Sequence, residues 1–224
     1  MTRSAKFLAG AAFLGLLGAT LPASAAILVD GNFDNPPVLL PFLTQFGGTT
    51  FGGPTSTAWT ILGHSVDEVG SYWQNPVAGG GSVDLDGELP GGISQAATLT
   101  GGTYQLSFYL SGNPDTAVPS DPTKSVAVSI GDLNQVFTFT TGTNSHADMQ
   151  YVLETVTFHA GAGTNVLSFL SQDAANSPYG AVIGGISIVP VPEPATWMML
   201  ILGFGLTGAL LRKNRGKSIG LVPA

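Results

Sequence analysis

The sequence contains no cysteine, and between residues 27 and 190 it has a single basic side chain, Lys124. The first absence excludes disulfides, thiol nucleophiles and Cys-ligated zinc. The second excludes a nucleic-acid interface, because gripping a phosphate backbone requires several Lys or Arg to displace its counterions. Against that one lysine stand thirteen acids, so residues 27–190 carry a formal charge of −12, while six of the seven basic residues lie in the terminal segments. Charged residues make up only 9% of the chain against 44% hydrophobic ones, which rules out a disordered solvating chain and a bundle of helices with charged outer faces. The 224 residues allow one ordinary domain with short appendages.

The two ends are apolar and differ in meaning. Arg3 and Lys6 precede an apolar run from Phe7 to Leu21, then Pro22 and the small residues Ala23-Ser24-Ala25. This is the layout of a removable secretory signal over residues 1–25, with the mature chain beginning near Ala26. At the other end, residues 195–211 are uncharged and predict a transmembrane helix, about 26 Å long at ~1.5 Å per residue. Arg212, Lys213, Arg215 and Lys217 follow at once, which places that end in the cytoplasm and Trp197 near the outer interface. Gly203, Gly205 and Gly208 suit a helix-packing face or simple tolerance of glycine in lipid. Before the helix stand Pro192, Glu193 and Pro194, an extended segment open to a processing enzyme, because the two prolines fix φ and donate no amide.

Residues 191–217, with Pro192-Glu193-Pro194, Trp197, Met199, Gly203, Gly205 and the Arg212/Lys213/Arg215 cluster, resemble the PEP-CTERM sorting signal of Gram-negative bacteria. The resemblance implies recognition by an exosortase, a membrane-embedded cysteine transpeptidase-like enzyme. That enzyme would take an inner-membrane-anchored precursor, remove the helix and release the body to the cell surface or to an exopolysaccharide or biofilm matrix. Residues 218–224 extend past the usual end of that signal and are expected to be an inert tail.

Between residues 26 and 190 no long stretch keeps helical apolar spacing, whereas short alternating runs bounded by Gly, Pro, Asn and Asp recur. Tyr104, Leu106, Phe108 and Leu110 share one face, as do Val126, Val128 and Ile130. Further strands are expected at 59–62, 82–85, 93–99, 135–140, 152–159, 165–171 and 181–189. Turns are expected at Gly101-Gly102, Gly112-Asn113-Pro114, Gly131-Asp132 and Gly161-Ala162-Gly163, and 36–54 reads as a long loop. About ten short strands at this spacing predict an all-β fold, a jelly-roll-like antiparallel β-sandwich.

A second resemblance rests on Asp30-Gly31-Asn32-Phe33-Asp34, Ser65-Val66-Asp67, Ser71-Tyr72-Trp73, Ser82-Val83-Asp84-Leu85-Asp86-Gly87, Gly92-Ile93-Ser94-Gln95, Tyr104-Gln105-Leu106-Ser107-Phe108, Ser111-Gly112-Asn113-Pro114 and Tyr179-Gly180. As a set these are similar to the choice-of-anchor C family. That family implies a galactose-binding-like jelly roll, related to carbohydrate-binding modules and without an established enzymatic role. It also implies a structural calcium ion with Asp34 as a ligand, but Gly184-Gly185 stand where the family has Asp-Asn, so one expected ligand is missing.

For catalysis the residues offer little. The three histidines lack zinc spacing, no G-x-S-x-G is present, and His64, Ser65 and Asp67 are adjacent in sequence instead of convergent. Paired carboxylates remain the main alternative, since glycoside hydrolysis needs only two. Asp84 with Asp86, or Asp67 with Glu68, are the pairs, with Asp84 and Asp86 expected on the solvent face of a strand. Asp84-x-Asp86-Gly87 opens like an EF-hand loop, but the later ligands do not follow. For sugar binding, aromatic rings stack on pyranose faces while Asn, Asp and Gln meet hydroxyls. Tyr72, Trp73 and Tyr179 are the candidate contacts; Tyr72 and Trp73 point oppositely if extended, and Trp59 is assigned to the core. The expectation is an exported, non-catalytic, glycan-binding surface protein, with an extracellular glycan hydrolase or a purely structural surface protein as alternatives.

Overall fold

Alternating side chains can bury one face each only if strands pair, and the described residues do this with ten strands. They are β1 (Phe42–Phe46), β2 (Thr50–Phe51), β3 (Trp59–Gly63), β4 (Ser65–Val69), β5 (Ser82–Asp84), β6 (Gly91–Gly112), β7 (Thr123–Ile130), β8 (Leu133–Thr140), β9 (Val152–Ser171) and β10 (Ala181–Pro190). The computed structural model describes residues 27–115, 122–192 and 194–215. Every strand pairing is antiparallel.

The pairings sort into two layers. One runs β2-β3-β6-β9-β7-β8 and uses residues 91–100 of β6 with 162–171 of β9; the other runs β1-β4-β5-β10-β6-β9 and uses 102–112 with 152–160. A single β6/β9 ribbon therefore belongs to both. Along β6 the buried positions are Ile93, Gln95, Ala97 and Leu99, then Tyr104, Leu106, Phe108 and Leu110, so the inward face changes from odd to even numbers. On β9 it changes from Phe158 and Ala160 to Leu167 and Phe169. The change falls at Gly101 (φ 83°), Gly102 (φ 125°) and Gly163 (φ 108°). A positive φ breaks the regular pleat, and glycine takes it without a Cβ clash. These glycines were expected to end strands; instead they kink strands that continue, because the neighbouring strand carries the ladder through the kink.

The layers meet through large side chains. Phe108 of one layer packs edge-on against Phe137 and Phe169 of the other, with centroids 5.2 and 5.1 Å apart. Phe33, Phe51 and Trp59 close the end of the core, and Trp59 Nε1 donates to the Asp30 carbonyl at 3.0 Å. Each fully buried side chain of this size contributes roughly 1.5–3 kcal/mol. Gln95, also buried, bonds both backbone groups of Val29 (2.7 and 2.8 Å) and so fastens the start of the body to β6. The outer side of the second layer has its own small cluster of Val69, Trp73, Met149 and Val182, formed because loops fold over that side.

The jelly-roll-like sandwich agrees with the sequence reading, and so does the Gly131-Asp132 turn, where Ile130 pairs with Leu133 across a two-residue loop. The 36–54 segment differs. It holds β1 and β2, because 42–46 contains neither proline nor glycine and finds β4 as a partner.

After β10, Val191 N donates to the Thr103 carbonyl at 2.9 Å; past the exposed Pro192, helix α1 spans Pro194–Arg215. Among the described residues no helix is long and apolar enough to cross a membrane; the uncharged part of α1 stops after residue 211 and includes three glycines and Thr207. The expected signal peptide, Glu193 and the 218–224 tail lie outside the described residues, as do the side chains of Pro194, Trp197, Lys213 and Arg215.

The kink geometry makes a direct prediction. A Cβ at Gly102, Gly161 or Gly163 would meet nothing within 4 Å, and Gly161 alone lacks a positive φ. Gly102→Ala and Gly163→Ala should each lower unfolding free energy by about 1–3 kcal/mol through backbone strain, while Gly161→Ala stays near neutral. Urea denaturation of the three variants measures this.

Candidate functional site

The surface best equipped to hold a ligand is built by three loops over the outer side of the second layer. The loop after β4 is anchored at Pro41, whose carbonyl accepts the N–H groups of Gly70, Ser71 and Tyr72 at 3.0–3.2 Å. The chain then bends at residues 71–73 instead of running extended, so the neighbouring Tyr72 and Trp73 rings pack on each other, with centroids 5.4 Å apart. Trp73 turns inward, 6% exposed, and its Nε1 donates to Ser82 Oγ at 2.9 Å; Tyr72 stays outside, 38% exposed. Of this adjacent pair, Tyr72 offers the exposed surface.

Tyr72 is held in place. Its hydroxyl donates to Asp115 Oδ2 at 2.9 Å, and the His146 ring lies 4.5 Å from its own and bonds Asp115 Oδ1 through Nε2 at 2.6 Å. The hydrogen bond to Asp115 raises the Tyr72 phenol above its ordinary pKa. Phe42 of β1 packs edge-on at 5.4 Å. Tyr179, half-buried, is near enough for the two phenols to interact electrostatically. Gln74 ties the loops together, its N–H donating to the His146 carbonyl (2.8 Å) and its Oε1 accepting from Met149 N (2.9 Å). Asp115, His146 and Phe42 were not nominated from the sequence. They come from three separate segments and share no spacing that could have joined them.

Beneath this surface lies a carboxylate row. Asp115 N donates to Asn113 Oδ1 (2.8 Å), and Asn113 Nδ2 donates to Asp84 Oδ2 (2.7 Å). Asp84 Oδ1 accepts from the N–H groups of Asp86 and Gly180, both at 3.0 Å. In register, Asp67 of β4 faces Asp84 of β5, and Thr44 Oγ1 donates to Asp67 Oδ1 at 2.6 Å. Asp84 and Asp86 were expected to face solvent, yet both are completely buried, because Gly180 packs directly over their carboxyl groups. Burial, with the nearby charges of Asp86 and Asp67 adding to it, holds the Asp84 carboxyl well above the usual carboxylate range.

The other nominated pair separates. Adjacent residues of a strand point to opposite faces, so Asp67 lies with Asp84 while Glu68 shares the inner face with its register partner Val83. Glu68 reaches a cleft of about 260 Å³ lined by Pro36, Leu43, Gln45 and Phe51, where it is 4% exposed and accepts from Gln45 Nε2 at 3.4 Å. Desolvation pushes its pKa up to about 7. Asp34, the nominated calcium ligand, is exposed, and its N–H donates to Asp30 Oδ1 at 2.9 Å. The N-terminal segment and β10 do meet nearby, through Ile186 N and the Gly31 carbonyl at 2.8 Å. Among the described residues no three His, Asp or Glu side chains are placed to hold a metal ion.

Comparison with known proteins agrees with the C-terminal reading. The chain carries the PEP-CTERM protein-sorting motif over residues 190–215. The motif marks a secreted, membrane-anchored precursor. In sequence, 189 residues are 30% identical to halomucin of Haloquadratum walsbyi (strain DSM 16790 / HBSQ001), a match that covers 84% of this chain and 2% of that protein. Among solved structures, the body is similar to a family 35 carbohydrate-binding module from Clostridium thermocellum, with TM-score 0.42, 14% identity, and 60% of this chain and 93% of that one covered. It is also similar to a CBM35 from Paenibacillus barcinonensis, with TM-score 0.38, 13% identity, and coverage of 66% and 99%. An exo-β-1,3-galactanase from Phanerochaete chrysosporium matches with TM-score 0.40, 18% identity, and coverage of 64% and 29%. Each of these structural likenesses is partial.

The raised Glu68 carboxyl has a measurable consequence. Between the ordinary glutamate value of 4.5 and about 7 the folded chain keeps this proton and the unfolded chain releases it. The stability linked to this group is therefore present at acid pH and lost as pH rises through that window. Glu68→Gln, which stays neutral, should gain on the wild type as pH rises from 4.5 to 8 in urea titrations; parallel pH profiles would contradict the assignment.

Proposed function

We propose that this chain is an exported surface protein, processed by an exosortase, whose sandwich binds glycan without catalysis through the surface around Tyr72. The sorting motif supports the first part. For the second, the supporting observation is an exposed aromatic ring fixed by Asp115 and His146 on well-anchored loops. A sugar ring can stack on such a face while neighbouring polar groups meet its hydroxyls, and the fixed geometry lowers the ordering cost of binding. Lys124, the sole basic residue of the body, is 2% exposed. The surface therefore offers no lysine or arginine to an acidic polymer, which favours a neutral polysaccharide such as an exopolysaccharide of the producing cell. Before processing, the basic end of α1 would keep the precursor at the inner membrane; afterwards the body belongs to the cell surface or the extracellular matrix of a Gram-negative bacterium.

The carboxylate placement supports the non-catalytic reading. Glycoside hydrolysis needs two carboxyl groups flanking an accessible bond, whereas Asp84 and Asp86 are covered and Asp67 and Glu68 lie on opposite faces. A structural calcium ion at Asp34 stays part of the proposal only through the family resemblance, and the Asp-to-Gly change at 184 weakens it.

The test is affinity electrophoresis of the full chain on neutral and uronate-containing polysaccharides, with and without chelator. Tyr72→Ala should weaken binding to the neutral polymer at least tenfold, the share expected of a stacking anchor, and leave the far-UV spectrum of the folded sandwich unchanged. Equal binding by wild type and variant would remove the Tyr72 surface from the account.

A further inference from the structure

Strand β1 closes one end of the second layer and has β4 as its one strand partner among the described residues. Its hydrogen-bonding phase is set from both sides: Gly70 N donates to the Pro41 carbonyl, and Gly47 N donates to the His64 carbonyl. Alternation between these two bonds turns the backbone groups of Leu43 and Gln45 toward β4 and those of Phe42, Thr44 and Phe46 outward; of these, the Phe46 carbonyl is already taken by Thr49 N and Oγ1. Most outward-facing strands are guarded by lysine, proline or a bulge. β1 has none of these: its sequence is Phe-Leu-Thr-Gln-Phe, and it carries no charge. Phe42, Leu43 and Phe46 are 43%, 44% and 46% exposed, and Leu39 and Leu40 extend the apolar surface at 91% and 56%.

We propose that β1 is a homodimerisation edge, pairing antiparallel with β1 of a second copy about a two-fold axis through Thr44. The sequence of the strand argues for a second copy over any other partner. It reads nearly the same in both directions around Thr44, so antiparallel pairing sets Phe42 against Phe46 of the other chain and Leu43 against its Gln45, the self-complementarity that a two-fold interface requires. Thr44 meets its own counterpart, and each exchanges an N–H and a carbonyl with the other. Cross-strand aromatic pairs of the Phe42 and Phe46 kind are stabilising. The nearest acids, Asp67 and Glu68, sit one strand back on β4, so like charges do not face each other across the seam. The −12 charge of each body still opposes association at long range, and screening by salt relieves it. Two second layers would then form one continuous sheet across the dimer.

Sedimentation velocity of the full chain in mild detergent tests this, with the expected result a dimer that strengthens as sodium chloride is raised. Thr44→Pro removes an outward N–H that pairing with β4 does not use, and both it and the lysine variant give up the Thr44 hydroxyl bond to Asp67, a loss that Thr44→Val reproduces with the seam left intact. Thr44→Lys places two ammonium groups on the axis and keeps the strand intact. The proline and lysine variants should each weaken dimerisation at least tenfold with an unchanged far-UV spectrum; if the proline variant fails to fold, the lysine variant decides. In amide exchange, Thr44 and Phe46, whose N–H groups meet free carbonyls of Thr44 and Phe42 across the seam, should be protected in the dimer and unprotected in the lysine variant. A monomeric wild type at high salt, a dimer indifferent to Thr44→Lys, or protection of these amides in a monomer would each overturn the proposal; the last would mean that another segment of the chain covers the edge.

Discussion

The β6/β9 ribbon is the element on which the rest of the architecture depends. Two strands of 22 and 20 residues run side by side through both layers, and the kink at Gly101, Gly102 and Gly163 lets a single ribbon present an apolar face to the core in each. Sharing the ribbon removes the edges the layers would otherwise expose there. It also fixes the layers relative to one another, so that Phe108 meets Phe137 and Phe169. With no cysteine for a disulfide and few ion pairs among the described residues, the core and this ladder carry the fold.

The ribbon's placement also organises the chemistry. Residues 104–112 of β6 pair with β10, which carries β5, β4 and β1 outward in turn. On the inner face of that layer Glu68, Val83, Ile183 and Leu110 lie in one row; on the outer face Asp67, Asp84, Val182 and Ser111 lie in another. The same register that buries Val83 therefore sets Asp84 under the loops. There Asp84 serves as an acceptor for two backbone N–H groups and Asn113, and through Asn113 it positions Asp115. A buried carboxyl used this way organises the loop surface above it while staying out of reach of solvent and substrate.

Much of this was legible in the residues. Alternation in 104–110 and 126–130 placed two strands correctly, and Trp59 belonged to the core as its setting before Ile61 suggested. The opposite directions expected of Tyr72 and Trp73 assumed extended backbone, whereas the chain bends at 71–73 and the two rings pack together, one buried and one exposed. The sorting signal was legible because its residues are contiguous. What escaped the reading depends on contacts distant in sequence. Gly101-Gly102 has the composition of a turn, and only the partner strand decides that the chain continues through it. Asp84 looks solvent-facing until Gly180, 96 residues away, covers it. Asp115 and His146 meet Tyr72 only after three loops have converged.

Release of the body from its helix is the claim that joins the fold to the sorting motif. The last ladder bond of the body is made by Val191, and Pro192 is already exposed, so a cut just beyond it leaves the strand ladder of the described residues whole. Mass spectrometry of the protein recovered from the cell surface or medium tests this directly. The account predicts a new C-terminus within or beside Pro192-Glu193-Pro194, with residues of α1 absent; recovery of the released protein with the helix still attached through Arg215 would contradict it.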